Sequence, residues 1–235
     1  MDPDADLAAV AGLMADANRS RMLQVLLCGA PQPGSALADA TGISRSLASA
    51  HLKKLVVGGL VTARPSGRAR LYSIASEPVA AAIETLMSIA PPQRAPRSLN
   101  GATRSRNLRW ARMCYDHLAG VVGVAITEAL VARSALRQAN GGWSLGSPAV
   151  FAEVRIDIEA LPRRRPLARP CMDWTERRHH LAGSTGAAVT STLTERGWVR
   201  RRDASRIVSI TPAGAAGLRD WLSLDLTELR QTLAT

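Results

Sequence analysis

The sequence predicts a mainly α-helical fold with small β-hairpins, an α+β arrangement that divides into two parts. Three observations support this prediction. In residues 35–74, two segments with helical spacing of apolar residues flank a glycine turn, and a basic hairpin with strand-like composition follows. Residues 91–98 form a proline- and arginine-rich stretch that interrupts the helical pattern. A fourteen-residue segment of the second half then occurs twice, which indicates an internal duplication.

The segment from residue 35 to residue 74 has the element order of a helix-turn-helix with a β-hairpin wing. Gly42 supplies the backbone freedom that a tight turn between two helices needs. Ser44 is placed to cap the second helix with its side chain. On that helix Ala48, Leu52 and Leu55 recur at helical spacing, so we expect them to form its buried stripe.

The opposite face of this helix and the tip of the hairpin have the chemistry of a nucleic-acid contact. Short hydroxyls and cations suit base edges and phosphates in a major groove. The hairpin is predicted as strands 60–64 and 70–74 around a turn at 65–67, and three guanidiniums near its tip suit phosphates or a minor groove. The candidate contacts with double-stranded DNA are Ser44, Arg45, Ser46, Ser49, His51, Lys53, Arg64, Arg68 and Arg70.

The charge balance of the chain agrees with a polyanionic partner. The 30 lysines and arginines against 19 acids give a formal net charge of +11, which favours nucleic acid through counterion release. The alternative is a helical unit that binds protein and carries a solvated arginine-rich turn. No apolar run reaches the length of a membrane span, and three cysteines cannot form a disulfide framework. We therefore expect a cytoplasmic protein with no membrane partner.

The first part resembles the ArsR family of bacterial transcriptional regulators in its opening helices, its recognition helix and its wing. The segments that carry the resemblance are residues 13–23, 44–55, 59–61 and 67–72. The resemblance covers about residues 5–90. It implies a homodimeric winged helix that binds an inverted-repeat operator in double-stranded DNA, usually as a repressor that an effector releases. It also implies a dimer interface made by residues 7–14 and 79–90.

The metal-binding residues of the family are missing from this part of the chain. Metal-sensing members place a Cys-x-Cys pair in the first helix of the helix-turn-helix, and residues 36–39 contain no cysteine. The last helix of the domain, residues 78–90, has one acid, Glu84, and no histidine. We therefore assign no metal ligands here and expect any effector to bind in the second half.

The second half contains the internal repeat. Residues 117–130 align with residues 180–193, and eight of the fourteen positions are identical. Each copy is preceded by Cys-x-Asp and followed by Gly-Trp. The patterns together predict a DNA-binding and dimerisation domain in residues 1–90, a Pro/Arg-rich linker in residues 91–107, and a C-terminal repeat domain in residues 108–235 for effector binding or interaction.

We interpret the two copies as degenerate winged-helix-like units, each with the repeated segment as a helix. Residues 143–158, with alternating apolar positions, are the candidate wing of the first copy, and residues 197–214 form the winged-helix ending of the second. Asp173 or Thr175 is expected to cap a further helix. Small residues in the repeated helices should allow the two units to pack closely on each other. These residues are Gly120, Gly123, Gly183 and Gly186.

Polar groups that cluster around the repeat are the candidates for sensing. They are Cys114, Asp116, His117, Cys171, Asp173, Trp174 and His180. Four hypotheses stay open: a polar network that fastens the repeats together, a small-molecule pocket between them, a metal ion bound by cysteines and histidines, and a thiol switch. Cys114-x-x-His117 has the spacing of half a metal site, whereas the spacing from Cys171 to His180 is unusual. No metal ligand is assigned and no cofactor is predicted, although a metal ion or small-molecule effector stays open.

The sequence gives no support for an enzyme. It has no glycine-rich phosphate loop, no Gly-x-Ser-x-Gly turn and no His-Glu-x-x-His motif. We therefore name no catalytic residue. The alternative to a regulator is an architectural DNA-binding protein that senses nothing and has a structural C-terminal domain.

Overall fold

The computed structural model describes residues 4–91, 99–139, 142–202, 205–231 and 233, with residues 99–101 described by their backbone alone. Its contacts divide the chain into two compact units, Met1–Ile83 and Glu84–Thr235. The division falls inside a helix rather than at residues 90 and 91, where we predicted the end of the first domain.

The first unit consists of helices around a small antiparallel sheet. Its elements are α1 (Leu7–Met14), α2 (Ala17–Leu26), β1 (Gln32–Pro33), α3 (Gly34–Thr41), α4 (Arg45–Val57), β2 (Val61–Ser66), β3 (Ala69–Ile74) and α5 (Glu77–Ile89), which continues into the second unit. The strand order is β1-β3-β2. The fold is a winged helix-turn-helix, as the sequence predicts.

The turn and cap of the helix-turn-helix follow the sequence prediction. Gly42 ends α3 with a φ of 71°, in the left-handed region that favours glycine. The backbone N–H of Leu47 donates to Ser44 Oγ at 3.3 Å, so Ser44 is the N-cap of α4. The predicted stripe of Ala48, Leu52 and Leu55 is buried, which leaves the opposite face of α4 free for a partner.

The turn of the wing lies further along the chain than we predicted. Pro65 pairs with Arg70 and Ser66 pairs with Ala69, so the turn consists of residues 67 and 68 rather than residues 65–67. A proline can lie in this strand because β2 is at the edge of the sheet, where the missing N–H breaks no ladder on one side.

The second unit repeats one order of elements twice. Its elements after α5 are α6 (Leu99–Trp110), β4 (Arg112–Cys114), β5 (His117–Ala119), α7 (Gly120–Ala132), β6 (Leu136–Ala139), β7 (Gly142–Leu145), α8 (Ala149–Ala152), β8 (Arg169–Met172), β9 (His179–Ala182), α9 (Gly183–Glu195), β10 (Val199–Arg201), β11 (Val208–Ile210), α10 (Pro212–Leu222) and α11 (Leu226–Gln231). Each copy is therefore a β-hairpin, a helix, a second hairpin and a further helix.

Three predictions for this half need correction. The predicted linker overlaps α6, because residues 99–107 are helical, and residues 92–98 lie outside the described part of the chain. The first three residues of each repeated segment form a strand, and the helix begins only at Gly120 and Gly183, whose φ angles are +82° and +85°. The wing of the first copy is the β6–β7 hairpin. Residues 149–152 are helical, and both Val150 and Phe151 are buried, which a strand with a single buried face would not allow.

The two copies share one hydrophobic core and pack against each other's hairpins. The core includes Val122, Ile126 and Leu130 of α7, Val189 and Leu193 of α9, and Leu218 and Trp221 of α10. Helix α7 packs on β9, and α9 packs on β5. A Cβ on Gly186 would lie 3.3 Å from Cβ of His117, and one on Gly123 would lie 3.9 Å from Cβ of His180. Gly123 and Gly186 thus allow close packing against a strand of the other copy rather than against its helix.

Candidate functional site

The exposed face of α4 and the wing hold most of the predicted DNA contacts. Ser44, Arg45, Ser46, Ser49 and Lys53 are all exposed on or just before α4. The wing presents its three guanidiniums to solvent as well, and these belong to Arg64, Arg68 and Arg70. The helix thus presents hydroxyls and cations, and the hairpin presents three guanidiniums.

His51 differs from the other predicted contacts. Its side chain is 12% exposed, and its Nδ1 lies 3.6 Å from Oδ1 of Asp16, the residue that caps α2. An imidazole that is covered and oriented toward another helix is poorly placed to reach a base. We therefore leave His51 out of the interface that we propose below.

The second unit brings the predicted cysteines and histidines together. Cys114 and His117 are direct partners across the β4–β5 hairpin, and Cys171 and His180 are direct partners across the β8–β9 hairpin. The two pairs therefore occupy the same place in the two copies. All four side chains are buried, and one ligand atom from each lies within 4.8 Å of the others. We call these four residues the cysteine–histidine cluster.

The hairpin register explains why the spacing of the second pair looked unusual. Two residues join β4 to β5, whereas Asp173 to Arg178 form a longer turn between β8 and β9. We expected a helix cap at this turn. Instead, Asp173 Oδ1 accepts hydrogen bonds from the backbone of Thr175 at 2.9 Å and of Glu176 at 3.1 Å, which closes the turn without a helix.

A carboxylate lies beside each imidazole of the cluster. Oδ1 of Asp116 lies 3.2 Å from Nδ1 of His117, and Oδ2 of Asp173 lies 3.5 Å from Nδ1 of His180. The Nε2 atoms of the two histidines face each other at 3.2 Å. Among the described residues, His180 Nδ1 is a buried polar atom with no hydrogen bond of normal geometry.

Asp173 is held by a buried polar network, and its main partner, Arg112, was not among the candidates named from the sequence. Its Oδ1 accepts from Nη2 of Arg112 at 2.7 Å, and its Oδ2 accepts from the backbone N–H of Gly120 at 2.7 Å. Both side chains of the ion pair are fully buried. Burial opposes the charge of Asp173, but the guanidinium of Arg112 outweighs it and holds the pKa of this carboxyl well below its usual range. Trp174 stacks on the same guanidinium at 4.3 Å.

Glu84 is a functional candidate that sequence reasoning missed. It is 4% exposed, and its two carboxylate oxygens accept hydrogen bonds from the Cys114 thiol at 2.7 Å and from the Cys171 thiol at 3.4 Å. The sequence hint was that Glu84 is the one acidic residue in the mainly apolar segment 78–89 of α5. Glu84 lies on α5 and belongs, like both cysteines, to the second unit.

The protonation of the cluster follows from burial and hydrogen bonding. Burial raises the pKa of the Cys114 thiol well above its usual range, which keeps its proton available to Glu84. Burial would lower the pKa of His117, but hydrogen bonds with Asp116 and Cys114 raise it to about 10. Burial lowers the pKa of His180 well below its usual range, and the charge on His117 lowers it further. We therefore assign His117 Nε2–H as the donor to His180 Nε2.

An open cleft lies next to the cluster, beside Asp116. Its lining includes Asp116, Arg165, Ser184 and Glu195, but not Trp174. Arg165 forms an ion pair with Asp116 at 2.7 Å across this cleft. Arg165 belongs to the arginine-rich segment 163–169 that connects the two copies, so this segment is attached to the residue beside His117. In the part of the chain that is described, no helix is long and apolar enough to cross a membrane.

Comparisons with known proteins agree with this architecture. The family model described as bacterial regulatory protein, arsR family, matches residues 16–63. The chain is 34% identical over 229 residues to YdfF, an HTH-type transcriptional regulator of Bacillus subtilis, and the match covers 96% of this chain and 100% of the relative. The similarity therefore includes the C-terminal unit as well as the helix-turn-helix.

Two solved structures match shorter parts of the chain. A homodimeric winged helix-turn-helix DNA-binding domain from Mycobacterium bovis is 33% identical and covers 38% of this chain and 89% of its own, with a TM-score of 0.33. The cadmium metal-sensor CMTR from Mycobacterium tuberculosis is 36% identical and covers 39% of this chain and 97% of its own, with a TM-score of 0.32. The full-length relative and the family model establish the relationship without them. The chain belongs to the ArsR family of bacterial transcriptional regulators, with a winged helix-turn-helix as its DNA-binding domain.

Proposed function

We propose that the protein is a homodimeric repressor that binds an inverted-repeat operator through α4 and the wing and releases it when an effector binds the C-terminal unit. The observation that carries the proposal is the exposed combination of hydroxyls and cations on α4 beside an arginine-rich wing. A recognition helix of this kind lies in the major groove and contacts base edges with its N-terminal residues.

The positions of the side chains on α4 assign them different tasks. Arg45 and Ser46 lie in the first turn and Ser49 in the second, where a helix entering the groove comes nearest to the bases. Lys53 lies one turn further along and suits a phosphate. Arg68 lies in the turn of the wing, from which its guanidinium can reach a phosphate or the minor groove.

The homodimer is supported by apolar helix surface that the chain leaves uncovered. None of the eight residues of α1, all within the described part, is buried, and Leu7 is 77% exposed. On α5, Leu86 and Ile89 are exposed as well. Apolar surface of this extent favours a partner. A second copy is the partner that turns one recognition helix into two, related by a two-fold axis, as an inverted repeat requires.

The effector function is supported by the position of Glu84. A change of charge at the cysteines acts on a carboxylate that both thiols contact, and this carboxylate belongs to α5. The same helix carries exposed Leu86, which we assign to the dimer interface. We propose that α5, which has residues in both units, carries the effect of the cluster to the DNA-binding unit.

The experiment is footprinting and fluorescence anisotropy with the DNA upstream of the gene for this protein, at several salt concentrations. We expect protection of two half-sites related by a dyad, and affinity that falls steeply as salt rises. Uniform protection without preferred sites would support the architectural protein instead. Failure to bind DNA at low salt would contradict both.

A further inference from the structure

We infer that Cys114, His117, Cys171 and His180 bind one thiophilic divalent cation of the Zn²⁺ class, as a tetrahedral Cys₂His₂ site shared by the two repeats. The four residues provide two thiolate and two imidazole ligands in a fully buried position. Zn²⁺ prefers this ligand set and this coordination number in closed protein sites. The regulatory part of the inference rests on the proposed function, but the binding itself does not.

The distances in the cluster are close to those of a metal site. With Zn–N bonds of about 2.05 Å, the two nitrogens of a tetrahedral site are about 3.3 Å apart, and with Zn–S bonds of about 2.3 Å the two sulfurs are about 3.8 Å apart. The Nε2 atoms of His117 and His180 are 3.2 Å apart, and all four ligand atoms lie within 4.8 Å of one another. No two ligand atoms are therefore farther apart than about 1 Å beyond the ideal sulfur–sulfur separation.

The outer shell of the cluster is also that of a metal site. A histidine that binds a metal through Nε2 usually donates Nδ1–H to a carboxylate, which fixes the tautomer and orients the ring. Asp116 has this position beside His117 and Asp173 has it beside His180. Each carboxylate also forms an ion pair with an arginine, Asp116 with Arg165 and Asp173 with Arg112.

The arrangement also argues against a purely structural polar network. Each repeat contributes a Cys–His pair at the same hairpin register, and neither pair fills four coordination positions by itself. In a network without a metal, the facing Nε2 atoms need a proton between them, and Nδ1 of the buried His180 makes no hydrogen bond of normal geometry. A cation between the two Nε2 atoms satisfies both rings, with each Nδ1–H donated to a carboxylate.

Metal binding changes the surroundings of Glu84. The cation replaces the two thiol protons and the Nε2 proton of His117, and all three protons leave to solvent. Cys114 and Cys171 become thiolates that no longer donate hydrogen bonds, and His117 becomes a neutral ligand. Glu84 then loses two donors and faces two thiolate ligands in a buried position. The carboxylate then turns away, takes up a proton or joins the coordination of the metal, and each response changes the contact between α5 and the cluster.

The test of binding is a titration of the full, reduced chain with Co²⁺, which reports tetrahedral thiolate ligation by its visible and near-ultraviolet absorption. We expect one Co²⁺ per chain, with tetrahedral bands that Zn²⁺ abolishes by displacing the cobalt. Cys28 is buried in the first unit outside the cluster, so Cys28→Ser is the matched control and should keep the spectrum. Cys114→Ser and Cys171→Ser should each lose most of the charge-transfer band.

Several outcomes would overturn the metal site. One is a wild-type chain that shows no tetrahedral Co²⁺ spectrum, and another is an equal loss in Cys28→Ser and Cys114→Ser. A third is a chain whose cysteines form a disulfide under mild oxidant and take up no cobalt when reduced, which would support the thiol switch. If circular dichroism shows that the cysteine variants are unfolded, the wild-type chain still provides the test. Tetrahedral Co²⁺ bands that Zn²⁺ abolishes support the site, and their absence overturns it.

Measurements of operator affinity test the regulatory role of the metal site separately from metal binding itself. We expect Zn²⁺ to weaken operator binding of the wild type and of Cys28→Ser at least tenfold, and to leave Glu84→Gln, which keeps the Co²⁺ spectrum, largely insensitive. Metal binding with unchanged operator affinity would overturn the regulatory role alone. A chain that binds Co²⁺ but no DNA under any condition would instead contradict the proposed function and leave the metal site in place.

Discussion

Nε2 of His117 lies 3.2 Å from Nε2 of His180, although 63 residues separate them in the chain. The contact results from the way the two repeats pack, since β5 of one copy meets β9 of the other and each lies under the other copy's helix. Equivalent residues of a duplicated unit thus converge on one point. The duplication therefore produces a single site rather than two.

The buried ion pair of Arg112 and Asp173 should be essential for the stability of the second unit. Both side chains are fully buried at 2.7 Å, so Arg112→Met leaves an uncompensated carboxylate in the core. Breaking such a pair destabilises a protein by about 3–5 kcal/mol. We expect that decrease in the free energy of unfolding, measured by urea denaturation.

A surface pair of the same unit provides the control for this substitution. Arg219 and Asp225 lie 3.7 Å apart and are 60% and 39% exposed. Exposed pairs contribute about 0–1 kcal/mol, so Arg219→Met should leave the urea midpoint nearly unchanged. Equal midpoints for the two variants would mean that the buried pair does not stabilise the fold.

Gly186 should be needed for the contact between the repeats. A Cβ at this position would lie 2.3 Å from the carbonyl oxygen of Leu181 and 3.3 Å from Cβ of His117. Overpacking of this kind destabilises a protein by about 1–3 kcal/mol, so Gly186→Ala should lower the melting temperature of the second unit. Gly142→Ala is the control, because among the described residues its new Cβ would meet only the oxygen of Ala139, at 3.7 Å. A melting temperature of Gly186→Ala as high as that of Gly142→Ala would disagree with the packing.

The helix-turn-helix could be predicted in detail because its signals are local. The spacing of Ala48, Leu52 and Leu55, the cap at Ser44 and the turn at Gly42 each depend on neighbours within one or two turns. The repeated segments were harder. Their first three residues are compatible with either a helix or a strand. They form strands because they pair with β4 and β8.

The site could be predicted as a set of residues but not as an arrangement. Cys171 and His180 are far apart in sequence for a metal pair, but strand register rather than sequence distance makes them partners. Glu84 lies 30 residues from Cys114, and no local pattern links them. Such contacts depend on tertiary packing, which a single sequence does not specify.

The exposed apolar face of α1 should be required for dimerisation. Leu7 is 77% exposed within one chain, so Leu7→Glu should leave the fold intact while it places a charge in the proposed interface. We expect the apparent mass in analytical ultracentrifugation to shift from dimer toward monomer. Val57→Glu is the matched control, because Val57 is 80% exposed on α4 and outside the proposed interface. A dimer that persists in Leu7→Glu would exclude α1 from the interface.

Arg45 and Ser49 should determine which DNA sequence is bound. Their replacement by alanine removes a guanidinium and a hydroxyl from the exposed face of α4 without touching its buried stripe. A good base contact contributes about 1–3 kcal/mol of discrimination. Operator affinity should therefore fall by that amount while affinity for unrelated DNA changes less, as measured by competition anisotropy. Arg137→Ala, which removes an exposed charge of the second unit, is the control. Equal losses on operator and unrelated DNA would place these residues outside the base contacts.

Arg68 should contribute to affinity without contributing to sequence preference. It is exposed in the two-residue turn of the wing, where a guanidinium meets phosphates or the minor groove rather than the major-groove edges of bases. One phosphate contact contributes about 0.9 to the slope of log affinity against log salt. Arg68→Ala should therefore weaken operator and unrelated DNA to the same degree and reduce this slope by about one. Anisotropy titrations at four salt concentrations, with Arg137→Ala alongside, measure both quantities. A loss confined to the operator would instead make Arg68 a base contact, and an unchanged slope would remove the wing from the interface.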